Sequence, residues 1–419
     1  MNLPRPGPLS LAPDARLLFL TRFTRLFAYG ALAVILVFYV TQLGFTDSEA
    51  GLLLTCTLLG DIAISLWLTT RADRFGRRRT LIVGALLMAG AGVAFASVKS
   101  VWGLMIAGAI GVISPSGNEV GPFLAVEQAA LAHVIPDRER TRVFAWYTLT
   151  GAVATALGSL AGGLLSQAGP ALAPSVAASR RVVWLYAALG LVLLFLFARL
   201  SPSAEAAGGE EGGGIAQPRS LLGVSRSGRV VARLSALFAM DAFGGGFVVQ
   251  SFVAYWFHLR FRTEPAMLGG IFFAANLLAG ISALVASRLA AKIGLVKTMV
   301  YTHLPSNILL LCVPLMPTLE SAIVLLWARF SISQMDVPTR QSYTMAIVPP
   351  GERSAVAGIT GVARTGGAAL APAFAGALFN AGLINWPFFL AGTLKLCYDL
   401  LLYRAFVTVR PPEEEAPFK

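Results

Sequence analysis

Charged residues are scarce in this chain. Asp, Glu, Lys and Arg together make up 13% of its 419 residues, whereas an average globular protein contains about 25%. Hydrophobic residues account for 56%, and the mean hydropathy is +0.71. Too little polar material remains to cover a soluble fold, so the composition excludes an ordinary soluble domain and indicates a protein embedded in a lipid bilayer.

Cysteine and histidine are also rare, with three of each. Cys56, Cys312 and Cys397 lie inside apolar runs without the short spacings of metal sites, so we expect small hydrophobic side chains that are buried. An embedded hydrolase needs paired carboxylates or a nucleophile set at one depth, and we find no such set in the sequence. We therefore expect no enzymatic activity, no cofactor and no metal.

Long apolar runs dominate the sequence instead. A run of about 20 apolar residues can cross a hydrocarbon core about 30 Å thick, and twelve such runs follow one another. The predicted fold class is an all-α polytopic membrane protein with twelve transmembrane helices. Their approximate ranges are 18–40, 49–70, 80–98, 103–133, 143–168, 182–200, 232–257, 267–289, 298–316, 320–347, 355–381 and 386–408.

The net charge of +12 reports the orientation of these spans. With an even number of spans, at least sixteen Lys and Arg residues fall on the side of the termini and five on the other side. Cytoplasmic loops carry such an excess, so we expect a multi-pass protein of the cell inner membrane with both termini in the cytoplasm. The basic residues are dispersed without interleaved aromatic residues, which excludes a nucleic-acid partner.

A Gly-, Ala- and Glu-rich stretch separates two sets of six spans. The halves also resemble each other, since 127–143 aligns with 340–356 through shared Gln, Pro, Glu and Arg residues. A repeat of this kind is typical of transporter halves, and we expect the chain to work as a monomer. The predicted units are an N-terminal half (1–200), a cytoplasmic linker (201–231), a C-terminal half (232–408) and a cytoplasmic tail (409–419).

The segment RADRFGRRRT, residues 71–80, joins spans two and three. Together with the twelve spans and the linker, it resembles the major facilitator superfamily. The resemblance implies two pseudo-symmetric halves, secondary active transport by alternating access, and a gating loop that engages the other half. The alternative is that the arginines only anchor the loop in the cytoplasm. The gating residues implied are Asp73, Arg74, Gly76 and Arg77.

Span five contains part of a glycine pattern that this superfamily uses in antiporters. Gly158, Gly162 and Gly163 match the pattern, but Ser159 replaces its proline, and Pro372 in span eleven occupies the related position of the repeat. Small residues at this spacing also allow close helix packing in a membrane. The pattern therefore favours helix packing first and antiport only weakly.

The resemblance further implies that spans one, four, seven and ten line a central cavity. Polar groups inside a membrane are costly, at about 2.5–3.5 kcal/mol for a charged residue, and persist where they face water or a partner. We also expect the Pro and Gly residues between 115 and 122 to break span four near the midplane. The candidate cavity residues are Asn118, Glu119, Asp241, Gln250, Gln334 and Asp336.

Two further roles concern charged residues within the spans. Glu127 and Arg340 occupy equivalent repeat positions, so we expect an ion pair between the halves, with an intrahelical Asp336–Arg340 pair as the alternative. Glu119 and Asp61 are candidates for proton coupling. A hydrogen-bonded structural carboxylate is the alternative for Asp61.

Four other charged residues are predicted to have structural roles. Arg22 and Arg25 open span one and are predicted to extend to the cytoplasmic face, with anion binding as the alternative. Lys395 and Asp399 are predicted to pair along span twelve.

The function expected is proton-coupled transport of a small solute, with export favoured over import. The alternatives are an uptake permease for a small polar or anionic metabolite and a transport-dead receptor on the same scaffold.

Overall fold

The computed structural model describes residues 12–136, 139–167, 175–202, 205, 227–349 and 352–409, without the side chains of residues 73, 74, 140, 141, 287 and 354. These residues form helices and no β-strand, which confirms the all-α class. Lipid offers backbone groups no partners, so each segment satisfies its own hydrogen bonds as a helix. The helices are α1 (Pro13–Gln42), α2 (Asp47–Thr69), α3 (Ala72–Phe75), α4 (Arg77–Ser97), α5 (Val101–Ile110), α6 (Phe123–Val134), α7 (Arg140–Gln167), α8 (Val176–Ala198), α9 (Gly228–Gly246), α10 (Gln250–Phe261), α11 (Pro265–Ile293), α12 (Leu295–Cys312), α13 (Leu319–Phe330), α14 (Asp336–Ala346), α15 (Arg353–Asn380) and α16 (Trp386–Phe406).

These helices account for all twelve predicted spans. Within the described ranges, nine helical stretches are long and apolar enough to cross a membrane. Spans four and ten are each split into two shorter helices, and α16 forms span twelve. The predicted linker 201–231 and tail 409–419 lie mostly outside the described residues. The first four residues of α9, starting at Gly228, fall within the predicted linker.

Three spans are interrupted in the middle. In span four, residues 111–122 separate α5 from α6, as predicted from their Pro and Gly content. Gly117 and Gly121 have φ angles of +70° and +78° in this segment, a backbone region that glycine adopts without steric penalty. Span seven is broken at residues 247–249 and span ten at residues 331–335. Each break frees backbone groups near the centre of the bundle.

The two halves pack closely near one face of the bundle. We call the face where α1 begins and α16 ends the terminal face, and the opposite one the far face. Near the far face α7 packs on α11 and α2 on α15. A Cβ atom added to Gly163 would lie 2.8 Å from Gly269 Cα, and one added to Gly376 would lie 2.8 Å from Gly51 Cα. Since side chains cannot fit between these backbones, the far face is closed.

Candidate functional site

A cavity of about 360 Å³ lies between the halves. It extends from the interrupted spans toward the terminal face, where Thr148 of α7 and Ala283 of α11 line it. Of the six predicted cavity residues, four line it, whereas Asp241 and Asp336 lie outside the lining. The polar lining side chains are Arg22, Ser116, Asn118, Glu119, Thr148, Thr155, Gln250, Asn276, Arg329, Gln334 and Lys395.

A cluster of ion pairs forms the N-terminal wall. Arg25 donates hydrogen bonds of 2.7 Å from both terminal nitrogens to the Glu127 carboxylate, and both side chains are fully buried. Thr21 and Tyr147 also donate hydrogen bonds to Glu127. Because its carboxylate receives four hydrogen bonds from its own half, Glu127 is held as a structural anion.

Glu119 links this cluster to the cavity. Its carboxylate lies 2.7 Å from Arg22 Nη1 and 3.1 Å from Arg25 Nη2, and 16% of its side chain is exposed. The prediction that Arg22 and Arg25 extend to the cytoplasmic face is therefore wrong. Both are buried, because the ion pairs with Glu119 and Glu127 replace the water that the guanidinium groups would otherwise seek.

Asp61 supports the break in span four. The backbone N–H of Gly121 donates a 2.5 Å hydrogen bond to Asp61 Oδ1, and Ser65 Oγ donates another of 3.2 Å. A carboxylate inside the membrane thus satisfies a backbone donor that the broken helix leaves free. This geometry matches the structural alternative for Asp61.

A second cluster lies in the C-terminal half, centred on Asp241 of α9. Lys395 Nζ donates a 2.6 Å hydrogen bond to Asp241, and Arg340 Nη1 donates one of 3.1 Å. His303 Nε2 lies 3.7 Å from the same carboxylate. The cluster thus connects α9 to α12, α14 and α16.

Two predicted pairs in this cluster have different outcomes. Arg340 lies 3.0 Å from Asp336, which confirms the intrahelical pair. The Lys395–Asp399 pair is wrong, because Lys395 contacts Asp241 while Asp399 contacts the ring of His303 at 2.8 Å. Lys395 and Asp399 each lie closer to a partner on another helix than to each other. Among the described residues, no group of three or more His, Cys, Asp or Glu side chains could hold a metal ion.

The predicted Glu127–Arg340 pair is not formed in this conformation. Glu127 is bound to Arg25 of α1, and Arg340 is bound to Asp241 and Asp336 within the C-terminal half. Each partner lies on a neighbouring helix of the same half or on the same helix, whereas the cavity separates spans four and ten. The equivalence of the two positions in the repeat therefore does not bring their side chains together here.

Neutral polar groups join the halves at mid-depth. Gln250 Nε2 donates a hydrogen bond to Ser159 Oγ at 3.2 Å, and Asn276 Nδ2 donates one to Gln250 Oε1 at 3.1 Å. Ser251 donates its hydroxyl hydrogen to the carbonyl of Pro115 at 2.6 Å. The break in span four is thus attached to α10 in the other half.

The predicted packing residues lie at helix contacts. A Cβ atom on Gly158 or Gly162 would lie 2.0 or 2.2 Å from a carbonyl oxygen of α1, so these two glycines pack within the N-terminal half. Gly163 instead faces α11, and the Pro372 carbonyl lies 2.4 Å from the Cβ position of Gly51. The glycine pattern of span five therefore serves both an internal helix contact and a contact between the halves.

The predicted gating loop is held by a residue outside it. Gly76 has a φ angle of +93°, and the N–H groups of Arg77 and Arg78 donate hydrogen bonds of 2.6 and 3.1 Å to the Glu205 carboxylate. Sequence reasoning missed Glu205 because it belongs to the predicted linker. The side chains of Asp73 and Arg74 lie outside the described part of the structure.

Seven of the eleven polar lining residues were not predicted from the sequence, among them Arg22, Asn276, Arg329 and Lys395. Asn276 and Lys395 lie on spans eight and twelve, which the resemblance did not assign to the cavity. Arg22 was assigned to the membrane border because it stands near the start of an apolar run. Arg329 carried a signal, since it is an arginine within span ten, a position where burial is costly without a function.

Comparison with known proteins agrees with this architecture. The family model of the Major Facilitator Superfamily matches residues 18–334 and 265–419. The chain is 29% identical to the uncharacterized membrane protein YJR124C of Saccharomyces cerevisiae over 94% of both chains. It is 32% identical to a Na(+), Li(+), K(+)/H(+) antiporter of Planococcus maritimus, over 29% of this chain and 28% of that protein.

A solved structure shares the fold. A variant of the nucleoside transporter NupG superposes with a TM-score of 0.74 at 13% identity, over 94% of this chain and 100% of that one. The family and the fold are those of membrane transporters and not of enzymes, and they support secondary transport. Two six-helix halves around a central cavity, matched by the family model along nearly the whole chain, place this protein in the Major Facilitator Superfamily.

Proposed function

We propose that this protein is a proton-coupled secondary active transporter of a small solute, working as a monomer in the cell inner membrane. We assign both termini to the cytoplasm, because at least sixteen basic residues accumulate on that side. With the far face closed, the cavity then faces the cytoplasm. Rocking of the halves about the contacts of α2 with α15 and α7 with α11 exposes it to the other side.

The observation that carries the proposal is the position of Glu119 between the cavity and two arginines. Its carboxylate lies 2.7 Å from Arg22, which also lines the cavity, and its side chain is 16% exposed. A proton arriving through the cavity neutralises Glu119 and leaves Arg22 without its counter-charge. Proton binding thereby changes the charge that a solute meets, which links the two binding events.

Asp61 is the second candidate for proton coupling. Its carboxylate accepts a hydrogen bond from Gly121, in the same broken segment of span four that contains Glu119. Protonation of Asp61 would weaken a hydrogen bond to the broken segment, because a neutral carboxyl group is a weaker acceptor than a carboxylate. Its position behind the break supports an indirect role, whereas Glu119 lines the cavity directly.

The loop between spans two and three acts as the latch between conformations in this proposal. Asp73, Gly76 and Arg77 precede or begin α4 at the terminal face. When the terminal face closes, this loop meets the neighbouring half, and charged hydrogen bonds that form and break there bias the two conformations. Glu127 and Arg340 remain a second candidate contact between the halves in that closed conformation.

Export is the favoured direction. It is supported by the partial antiporter pattern in span five and by the short match to an antiporter of Planococcus maritimus. Uptake of an anionic metabolite together with a proton is the second candidate. It is favoured by the release of Arg22 when Glu119 is protonated. A receptor without transport activity on the same scaffold predicts solute binding with no flux.

Flux in proteoliposomes tests the proposal. A solute that stabilises the purified protein is identified by thermal shift, and its movement is then followed with and without a pH gradient. We expect gradient-driven movement in the wild type and loss of its pH dependence in Glu119→Gln. Glu320→Gln, at an exposed carboxylate of α13, serves as the matched control. Flux that ignores the gradient, or a Glu119→Gln variant with unchanged pH dependence, would overturn the proposal.

A further inference from the structure

Four ionisable side chains line the cavity, and three of them are paired. Arg22 lies 2.7 Å from Glu119, and Lys395 lies 2.6 Å from Asp241. Arg329 of α13 differs from the other two cations. Among the residues that the structure describes, no carboxylate lies within 4.0 Å of it and no acceptor receives its hydrogen bonds. Its Nε atom, like that of Arg22, is buried without a hydrogen-bond partner.

The charge around Arg329 is also unbalanced. Asp241 and Asp336 act on it at longer range, but both carboxylates are already bound by Arg340. Leaving His303 aside, the cluster in the C-terminal half contains three carboxylates and four cations. They are Asp241, Asp336 and Asp399 against Arg329, Arg340, Arg364 and Lys395. One negative charge is missing on the side of the cavity where Arg329 stands.

We infer that Arg329 binds an anionic group of the transported solute, either a carboxylate or a phosphate-type oxyanion. The inference rests on the proposed function and names the substrate class of the same cavity. The planar guanidinium group donates parallel hydrogen bonds that match such oxyanions. A bound monoanion supplies the negative charge that the cluster lacks.

The remaining lining restricts the solute further. Gln250 and Asn276 present neutral amides, while Leu26 and Phe272 are apolar. Glu119 is the acidic side chain of the lining, and its charge is already compensated by Arg22. A cationic solute therefore finds no free carboxylate among the described lining residues. A volume of about 360 Å³ fits a small organic anion.

Matched pairs of solutes test the inference in detergent-purified protein. The thermal midpoint is measured with benzoate against benzamide, lactate against lactamide, and glycerol 3-phosphate against glycerol, with phosphatidylglycerol micelles added separately. The soluble pairs report a metabolite carboxylate or phosphate, and the micelles report a lipid headgroup. We expect at least one soluble anion to raise the midpoint where its neutral partner does not.

Variants then assign the binding to Arg329. We expect Arg329→Gln to raise the anion concentration needed for half-saturation by at least tenfold, and Arg329→Lys to raise it less. Arg260→Gln, at an exposed arginine of α10, should bind the anion as the wild type does. The thermal midpoint measured without solute shows whether each variant is folded. If Arg329→Gln does not fold, Arg329→Lys still tests the inference. The inference is overturned if a neutral partner stabilises as well as its anion. It is also overturned if no anion stabilises the wild type more than the folded Arg329 variants.

The two proposals fail differently. Gradient-driven flux of a neutral solute, unaffected in Arg329→Gln, would leave proton-coupled transport standing and remove the anion. Anion binding that depends on Arg329, without any flux, would support the site and contradict transport.

Discussion

Arg25 and Glu127 form a bidentate ion pair that no solvent reaches. Both hydrogen bonds between the guanidinium and the carboxylate measure 2.7 Å, and both side chains have no exposed surface. The pair therefore joins α1 to α6, which is the second part of span four, within the N-terminal half.

Removing one partner of this pair should destabilise the protein strongly. Arg25→Met or Glu127→Gln alone leaves a buried group without its partner, at a cost of about 3–5 kcal/mol. The double variant should lose less than the sum, with a coupling energy of about 0.5–3 kcal/mol. The measurement is the free energy of unfolding in mixed micelles. Glu127→Gln combined with Arg340→Gln should be additive instead, and coupling there with none to Arg25 would contradict the observed pairing.

Neighbouring glycines at the start of α11 should respond oppositely to a larger side chain. Gly269 lies against Gly163 of the other half, whereas a Cβ atom on Gly270 would meet nothing within 4 Å. Gly269→Leu should hold the far face open, and Gly270→Leu should not. Spin labels at Lys99 and Pro317, in far-face loops of the two halves and in a background without native cysteines, should move apart only in Gly269→Leu. Equal distances in both variants would contradict a far face closed by glycine contacts.

The spans and the interruption of span four follow from the sequence because both depend on local composition. Apolar runs of sufficient length must form helices in lipid, and Pro and Gly residues between 115 and 122 cannot continue one. In span seven, α9 ends at the last of three consecutive glycines, 244–246, just before the break. Such features need no knowledge of neighbouring helices.

The charge pairs do not follow from the sequence, because they depend on how helices are arranged around the cavity. Lys395 and Asp399 have the spacing of an intrahelical pair, yet Lys395 binds Asp241, 154 residues away. Asp336 and Arg340 have the same spacing and do pair. Helical periodicity identifies possible partners, and only the packing of α9, α12 and α14 against α16 selects between them.

Removal of the Glu205 carboxylate should loosen the start of α4. The first N–H groups of a helix have no partner within the helix, and the N-cap residue Gly76 has no side chain to accept them. Glu205 accepts those of Arg77 and Arg78 at 2.6 and 3.1 Å, a cap worth about 0.5–2 kcal/mol. Glu205→Ala should therefore speed amide hydrogen exchange at both residues roughly 2- to 30-fold.

The control for this prediction removes a different cap. Glu49 accepts the N–H of Thr46 at 2.8 Å in the capping box of α2, so Glu49→Ala should leave exchange at Arg77 and Arg78 unchanged. Glu205→Gln retains an acceptor oxygen without the charge that favours a helix N-terminus, so its exchange should be intermediate. Unchanged exchange in Glu205→Ala would mean that the segment after α8 does not restrain the loop between spans two and three. Faster exchange in Glu205→Ala would show that the segment after α8 restrains this loop, which we propose as the latch.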